Sequence, residues 1–135
     1  MRFMVFMIPG DSQAETGKMS DEKTITSMMK YNEELAEAGV LLGVDGLQPS
    51  AKGAHIRFSG GNAVVTEGPS SEAREIVVGY WMWQVKSKEE AIAWASRCPA
   101  ADGDVLELRQ ISELGLRVRR RTPGGRIGRG DRRLR

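Results

Sequence analysis

The sequence is poor in the residues that announce chemistry most directly. It holds one cysteine and one histidine. Cys98 alone rules out an internal disulfide and fits a reducing compartment. A single histidine, His55, with no cysteine pair beside it argues against a transition-metal site. No cofactor is expected either. There is no G-x-G-x-x-G or Walker pattern, no helix is read directly after Gly60-Gly61, and Ser70-Ser71 lacks a G-x-S-x-G setting. No apolar run approaches the 18 residues of a membrane span. The first apolar run, residues 3–8, is too short for a signal-peptide core and no small-residue cleavage site follows it. It reads as a β-strand of a cytoplasmic protein that no membrane holds.

What is present is the composition of a globular domain. Hydrophobic residues make up 40% and charged residues 28% of 135 positions, which suits one domain. The net charge of +2 hides an asymmetry. Residues 1–114 carry 17 acidic and 11 basic side chains, whereas residues 115–135 carry nine arginines and one aspartate. The expected division is a folded domain over residues 1–114 and a basic Arg/Gly-rich tail over residues 115–135. With almost no apolar side chains to bury, the tail cannot offset its ordering entropy and is expected to be disordered. Such a segment attracts nucleic-acid phosphates or anionic lipid, but no aromatic residue interleaves the arginines to stack on bases. The plain alternative is an incidental extension.

Periodicity places the elements. Residues 2–8 form a strand that Pro9-Gly10-Asp11 ends, with a polar loop to about residue 20. Ile25, Met28, Met29, Asn32, Leu35 and Ala36 fall on one stripe of a helix over residues 21–38, interrupted only by Asn32. Asp21 and Glu22 suit its N-terminus, and Gly39 its C-terminal turn. An extended stretch through Gly43, Gly46 and Pro49 follows. Residues 54–59 and 62–66 then read as two strands joined by a Gly60-Gly61 hairpin turn, with Ala54, Ile56 and Phe58 alternating against His55, Arg57 and Ser59. Residues 67–70 make a turn. The run IVVGYWMWQV, residues 76–85, is apolar on both faces and predicts a central strand or a dimer interface. Ser87 and Glu90 form a capping box for a helix over residues 88–97, buried along Ala91, Trp94, Ala95 and Cys98 and stopped by Pro99. Residues 105–111 form the last strand. The order implies an α+β, ferredoxin-like split βαβ fold with an extra β-hairpin, its antiparallel sheet covered by two helices on one face. The other face needs a partner, and Trp81 and Trp83 are expected to lie there between two copies of the chain.

The package of Leu41-Leu42-Gly43, Gly46-Leu47-Gln48-Pro49-Ser50, Gly53, Arg57, Gly60-Gly61, Val65-Thr66-Glu67-Gly68-Pro69, Gly79-Tyr80-Trp81 and Arg97-Cys98-Pro99 resembles the DGPF branch of the YCII-related family. The resemblance covers residues 1 to about 113 and implies a dimeric α/β barrel. The branch signature Asp-Gly-Pro-Phe stands here as Glu67-Gly68-Pro69-Ser70, with a longer acid and a hydroxyl in place of a phenyl ring. The tail after Leu116 is foreign to the family domain. Relatives are similar to small ring-processing enzymes or to domains linked to sigma factors, so the resemblance points to fold more than to function.

The candidate site residues follow from residue type. His55 could act as a general base, and the resemblance implies a His–Asp pair that would need Asp45 beside it; its bland role is a solvated strand residue. Asp45 and Glu67 sit next to glycines, where turn acids usually serve the backbone, but a carboxylate lining an apolar cleft would move protons. Arg57 could hold an anion or pair with a nearby acid. Ser70 and Tyr80 are further ligand-binding candidates. The expected function is a homodimer with a small-molecule cleft between sheet and helices. There it would bind its ligand or transform it by cofactor-free proton transfer, as in isomerisation or elimination. The alternative is a noncatalytic, transcription-associated module whose tail touches nucleic acid.

Overall fold

The computed structural model describes residues 1–10, 21–68 and 76–113. The polar loop, the Pro69–Ser70 turn and the arginine-rich tail anticipated above lie outside the described residues. The fold is α+β and ferredoxin-like. Strand β1 (Arg2–Ile8) leads to helix α1 (Glu22–Glu37) and strand β2 (Leu41–Gly46). A 3-10 turn (Ser50–Lys52) precedes strands β3 (Ala54–Ser59) and β4 (Asn62–Glu67). Strand β5 (Gly79–Gln84), helix α2 (Lys88–Ser96) and strand β6 (Val105–Gln110) complete the order.

The main sheet has the strand order β2-β5-β1-β6, and β3 and β4 form a separate pair. Every pairing in the main sheet is antiparallel. Strands β1 and β2 therefore run parallel with β5 between them, and β5 and β6 with β1 between them. These are two interlocked split βαβ units. The segment read from sequence only as an extended stretch is the edge strand β2, paired with β5 through a register shift between Leu41 and Gly43. Its two glycines and short length weaken the strand pattern, and cross-strand pairing decides it.

Register assigns the two faces of the sheet. Val5 lies opposite both Trp81 and Leu108, and Phe3 opposite Trp83. This face meets Tyr31 and Leu35 of α1 and Ala91 of α2 in one core. Trp83 is 0% exposed and Trp81 is 4% exposed. The two tryptophans are thus buried inside one protomer, which corrects their expected placement between two copies. A run apolar on both faces does not by itself say which face the helices cover. Their neighbours Tyr80 and Met82 point the other way.

Helix α1 also differs from its expected stripe. Ile25, Met29 and Ala36 are exposed, and Met29 is 61% so. The buried residues are Tyr31 and Leu35, with Met28 packed against them. Asn32, which looked like an interruption, accepts a hydrogen bond from Trp81 Nε1 at 2.8 Å. Tyr31 donates to Trp94 O at 2.7 Å and meets Trp81 edge to face at 6.1 Å. Rotating the stripe by about one residue gives the indole a polar partner, which a purely apolar stripe could not.

The helix ends follow local chemistry. Asp21 Oδ1 caps α1 through Thr24 N at 2.8 Å. Gly39, at φ 75°, closes it with Gly39 N bonded to Ala36 O and Val40 N to Leu35 O, a Schellman motif. Ser87 Oγ accepts from Glu90 N at 3.1 Å, while Glu90 Oε1 accepts from Lys86 N at 2.8 Å, one residue before the usual reciprocal partner. Among the described residues, no helix is long and apolar enough to cross a membrane.

Candidate functional site

The face of the sheet away from the helices carries the polar pair that sequence reasoning named without joining. Asp45 of β2 lies directly across from Tyr80 of β5. Tyr80 Oη donates to Asp45 Oδ2 at 2.7 Å. The bond to Asp45 raises the pKa of the Tyr80 phenol above its ordinary value, with the carboxylate charge adding to it. A phenol held neutral is a donor, and a carboxylate with one oxygen engaged keeps its other oxygen for a second donor. Tyr80 thus orients the carboxylate and leaves Asp45 Oδ1 to accept from a ligand.

Backbone geometry supports this position. The next pair along the strands is Gly46 opposite Gly79. A Cβ added at Gly79 would lie 3.2 Å from Asp45 O. The glycine lets the two strands close up beside the pair. Continuing across the sheet from Tyr80, Phe6 and then Glu107 follow in register. Met4 and Met82 lie in the next row. Phe6, Met4, Met82 and Tyr80 are half-buried, so an apolar centre runs beside the acid.

The remaining candidates sit on the hairpin. His55 Nδ1 is 2.9 Å from Gly68 O. A carbonyl can only accept, so Nδ1 donates in this contact. Asp45 and His55 are each bonded elsewhere and not to one another, so the His–Asp pair implied by the resemblance is not formed here. Arg57 shares the His55 face of the hairpin by alternation. Glu67 lies opposite Ala54, on the face that carries Ile56 and Val65. Ser70 lies outside the described residues. The expected cleft between sheet and helices is filled instead by Phe3, Val5, Leu35, Trp81, Trp83 and Ala91. The joined pair is on the opposite face. Sequence reasoning missed the Asp45–Tyr80 contact because β2 was not recognised as a strand, so no register could be assigned. The usable signal was Val44, apolar beside Asp45 in a two-residue alternation.

The model of the YCII-related domain matches residues 1–115, through the last described strand. The chain belongs to the YCII-related family. One relative, an uncharacterized protein of Rhizobium meliloti (strain 1021), is 31% identical over 78 residues. That match spans 58% of this chain and 63% of the relative's length. The YCII-related match includes the whole four-stranded sheet, the Asp45–Tyr80 pair and the β3–β4 hairpin.

Proposed function

We propose that this YCII-related protein is a cytoplasmic homodimer that binds a small polar ring compound beside Asp45 and Tyr80 and moves a proton on it without a cofactor. The observation that carries the reading is the 2.7 Å bond from Tyr80 to Asp45 on the sheet face that the helices leave uncovered. The apolar centre at Met4, Phe6 and Met82 supports two copies meeting there, with Asp45 near the β2 edge of the contact. Asp45 is the base, and Tyr80, whose one phenolic proton goes to Asp45 Oδ2, orients that carboxylate; His55 and Arg57 are secondary groups for proton transfer and for an anionic substituent. Placement in the DGPF branch rests on the whole package of residues given above, in which Glu67-Gly68 stands where the signature has Asp-Gly.

The test is a thermal-shift screen of hydroxylated lactones and cyclic carboxylic acids. A compound that raises the melting temperature of the wild type and loses its effect with Asp45→Asn and Tyr80→Phe supports the site. A stabilising compound that both variants retain places binding elsewhere.

A second reading is favoured by the filled sheet–helix interior. In it the domain is a noncatalytic binding module associated with transcription, and the nine arginines after residue 114 contact nucleic acid. Salt-dependent DNA binding that disappears when residues 115–135 are removed would support it. Unchanged binding excludes the tail as its source.

A further inference from the structure

We infer that the arginine-rich segment 115–135 folds back onto the outer face of helix α1 of its own chain. The contact is independent of the Asp45–Tyr80 reading. Helix α1 buries Tyr31 and Leu35 and leaves its opposite side uncovered among the described residues. At about 100° per residue, Ile25, Met29 and Ala36 fall there within an arc of about 40°. All three are exposed, Met29 by 61% and Ile25 by 38%. Glu22, Glu33 and Glu37 fill the next arc of about 60° and are exposed as well. None of these three carboxylates holds a hydrogen bond or ion pair among the described residues. Lys23 and Lys30 lie beyond the acids, away from the apolar line.

Charge argues for this occupant. Residues 1–114 carry six more acidic than basic side chains, from 17 against 11, and residues 115–135 carry nine arginines against one aspartate. The last turn of α1 contains no basic residue, although the negative end of the helix dipole favours one there. The segment sets Leu116, Val118, Ile127 and Leu134 among its arginines. An arginine can lay its apolar stem along Met29 while its planar head takes a neighbouring carboxylate in two bonds. The uncovered sheet face suits such a segment less well. It carries Arg2 and Arg109, which already hold Glu113 and Glu107.

Position and length agree. Val40 O accepts from Gln84 N, Gln84 lies across from Arg2, and Arg2 O accepts from Ile111 N. The chain therefore leaves β6 at the end of the sheet where α1 finishes, three strand spacings or about 15 Å away. The 16 residues of α1 extend about 24 Å from that end. The 22 residues from 114 to 135 reach roughly 70 Å when extended, enough to cross this gap and run the length of the helix. The tether holds the arginines beside the helix at an effective concentration on the order of millimolar, so contacts that are weak one by one suffice together.

Cross-linking of the full chain tests this. A photo-reactive residue at the exposed position 26, between the acids and the apolar line, is irradiated in an equal mixture of ordinary and nitrogen-15 chains, and the linked peptides are mapped by mass spectrometry. Links from position 26 to residues 115–135 of the same isotope are expected. Their yield should fall at least roughly fivefold with Glu33→Lys and Glu37→Lys together, and likewise in about 1 M sodium chloride, because the contact is made of exposed charges. Far-UV circular dichroism of the double variant should match the wild type, since both glutamates are exposed. Links that join chains of different isotope place a second copy's segment on the helix and overturn the fold-back. An absence of links to residues 115–135, or a yield indifferent to the charge reversal, overturns the contact itself.

Discussion

Replacing each core tryptophan by phenylalanine separates burial from hydrogen bonding. Trp83 is the more buried residue, yet its Nε1 finds no hydrogen-bond partner among the described residues. Trp81 Nε1 has one, Asn32 Oδ1. Either substitution removes two ring carbons, about 1.6 kcal/mol at about 0.8 each, plus a cavity contribution. These losses are shared and cancel in the comparison. At position 83 the change also removes an orphaned buried donor, which recovers about 1–3 kcal/mol. At position 81 it breaks a hydrogen bond worth about 0.5–1.5 kcal/mol, and Asn32, only half-buried, can turn to water. Trp81→Phe should therefore destabilise by about 2 kcal/mol more than Trp83→Phe, against the order of burial. Urea unfolding followed by far-UV circular dichroism reads both at a common slope. Equal losses, or a larger loss at position 83, would refute the reasoning, because burial alone would then set the cost.

Three further outcomes follow from the same geometry. A Cβ at Gly10 would lie 2.5 Å from the backbone of Gly103, so Gly10→Ala should cost about 1–3 kcal/mol or more, while Gly43→Ala, with nothing within 4 Å, should stay within about 0.5 kcal/mol; thermal melts compare them. Burial, with a smaller contribution from Asp104, pushes the Cys98 thiol up to about 11, from an ordinary 9.0. The folded state then keeps a proton that the unfolded state gives up, so stability present below pH 9 falls as the pH rises from 9 towards 11; Cys98→Ala should flatten that decline in alkaline urea titrations. Ser87→Ala removes the cap on α2 and should lower stability by about 1 kcal/mol in chemical denaturation, with the strands unaffected.

Local chemistry made much of the fold legible from the amino acids. The Gly60-Gly61 turn, the Ser87 cap, Gly39 after α1 and the alternation of residues 54–59 each depend on residues within a few positions, and the structure places them where the pattern did, with β4 one residue longer at Glu67. Helix α2 likewise buries Ala91 and packs Trp94, Ala95 and Cys98 against the core as its spacing indicated. What the sequence left open required strands distant along the chain to meet. Parity within β5 separates Trp81 from Tyr80, but only the helices packing on the Val5 face turn the tryptophans inward. Asp45 and Tyr80 come into hydrogen-bond contact through the β2–β5 register, which pairs residues 35 positions apart. Asn32 gains its role from Trp81 in the same way. Short-range sterics and capping bonds act within one segment and can be read there; pairing register and the choice of covered face are settled by the packing of the whole chain.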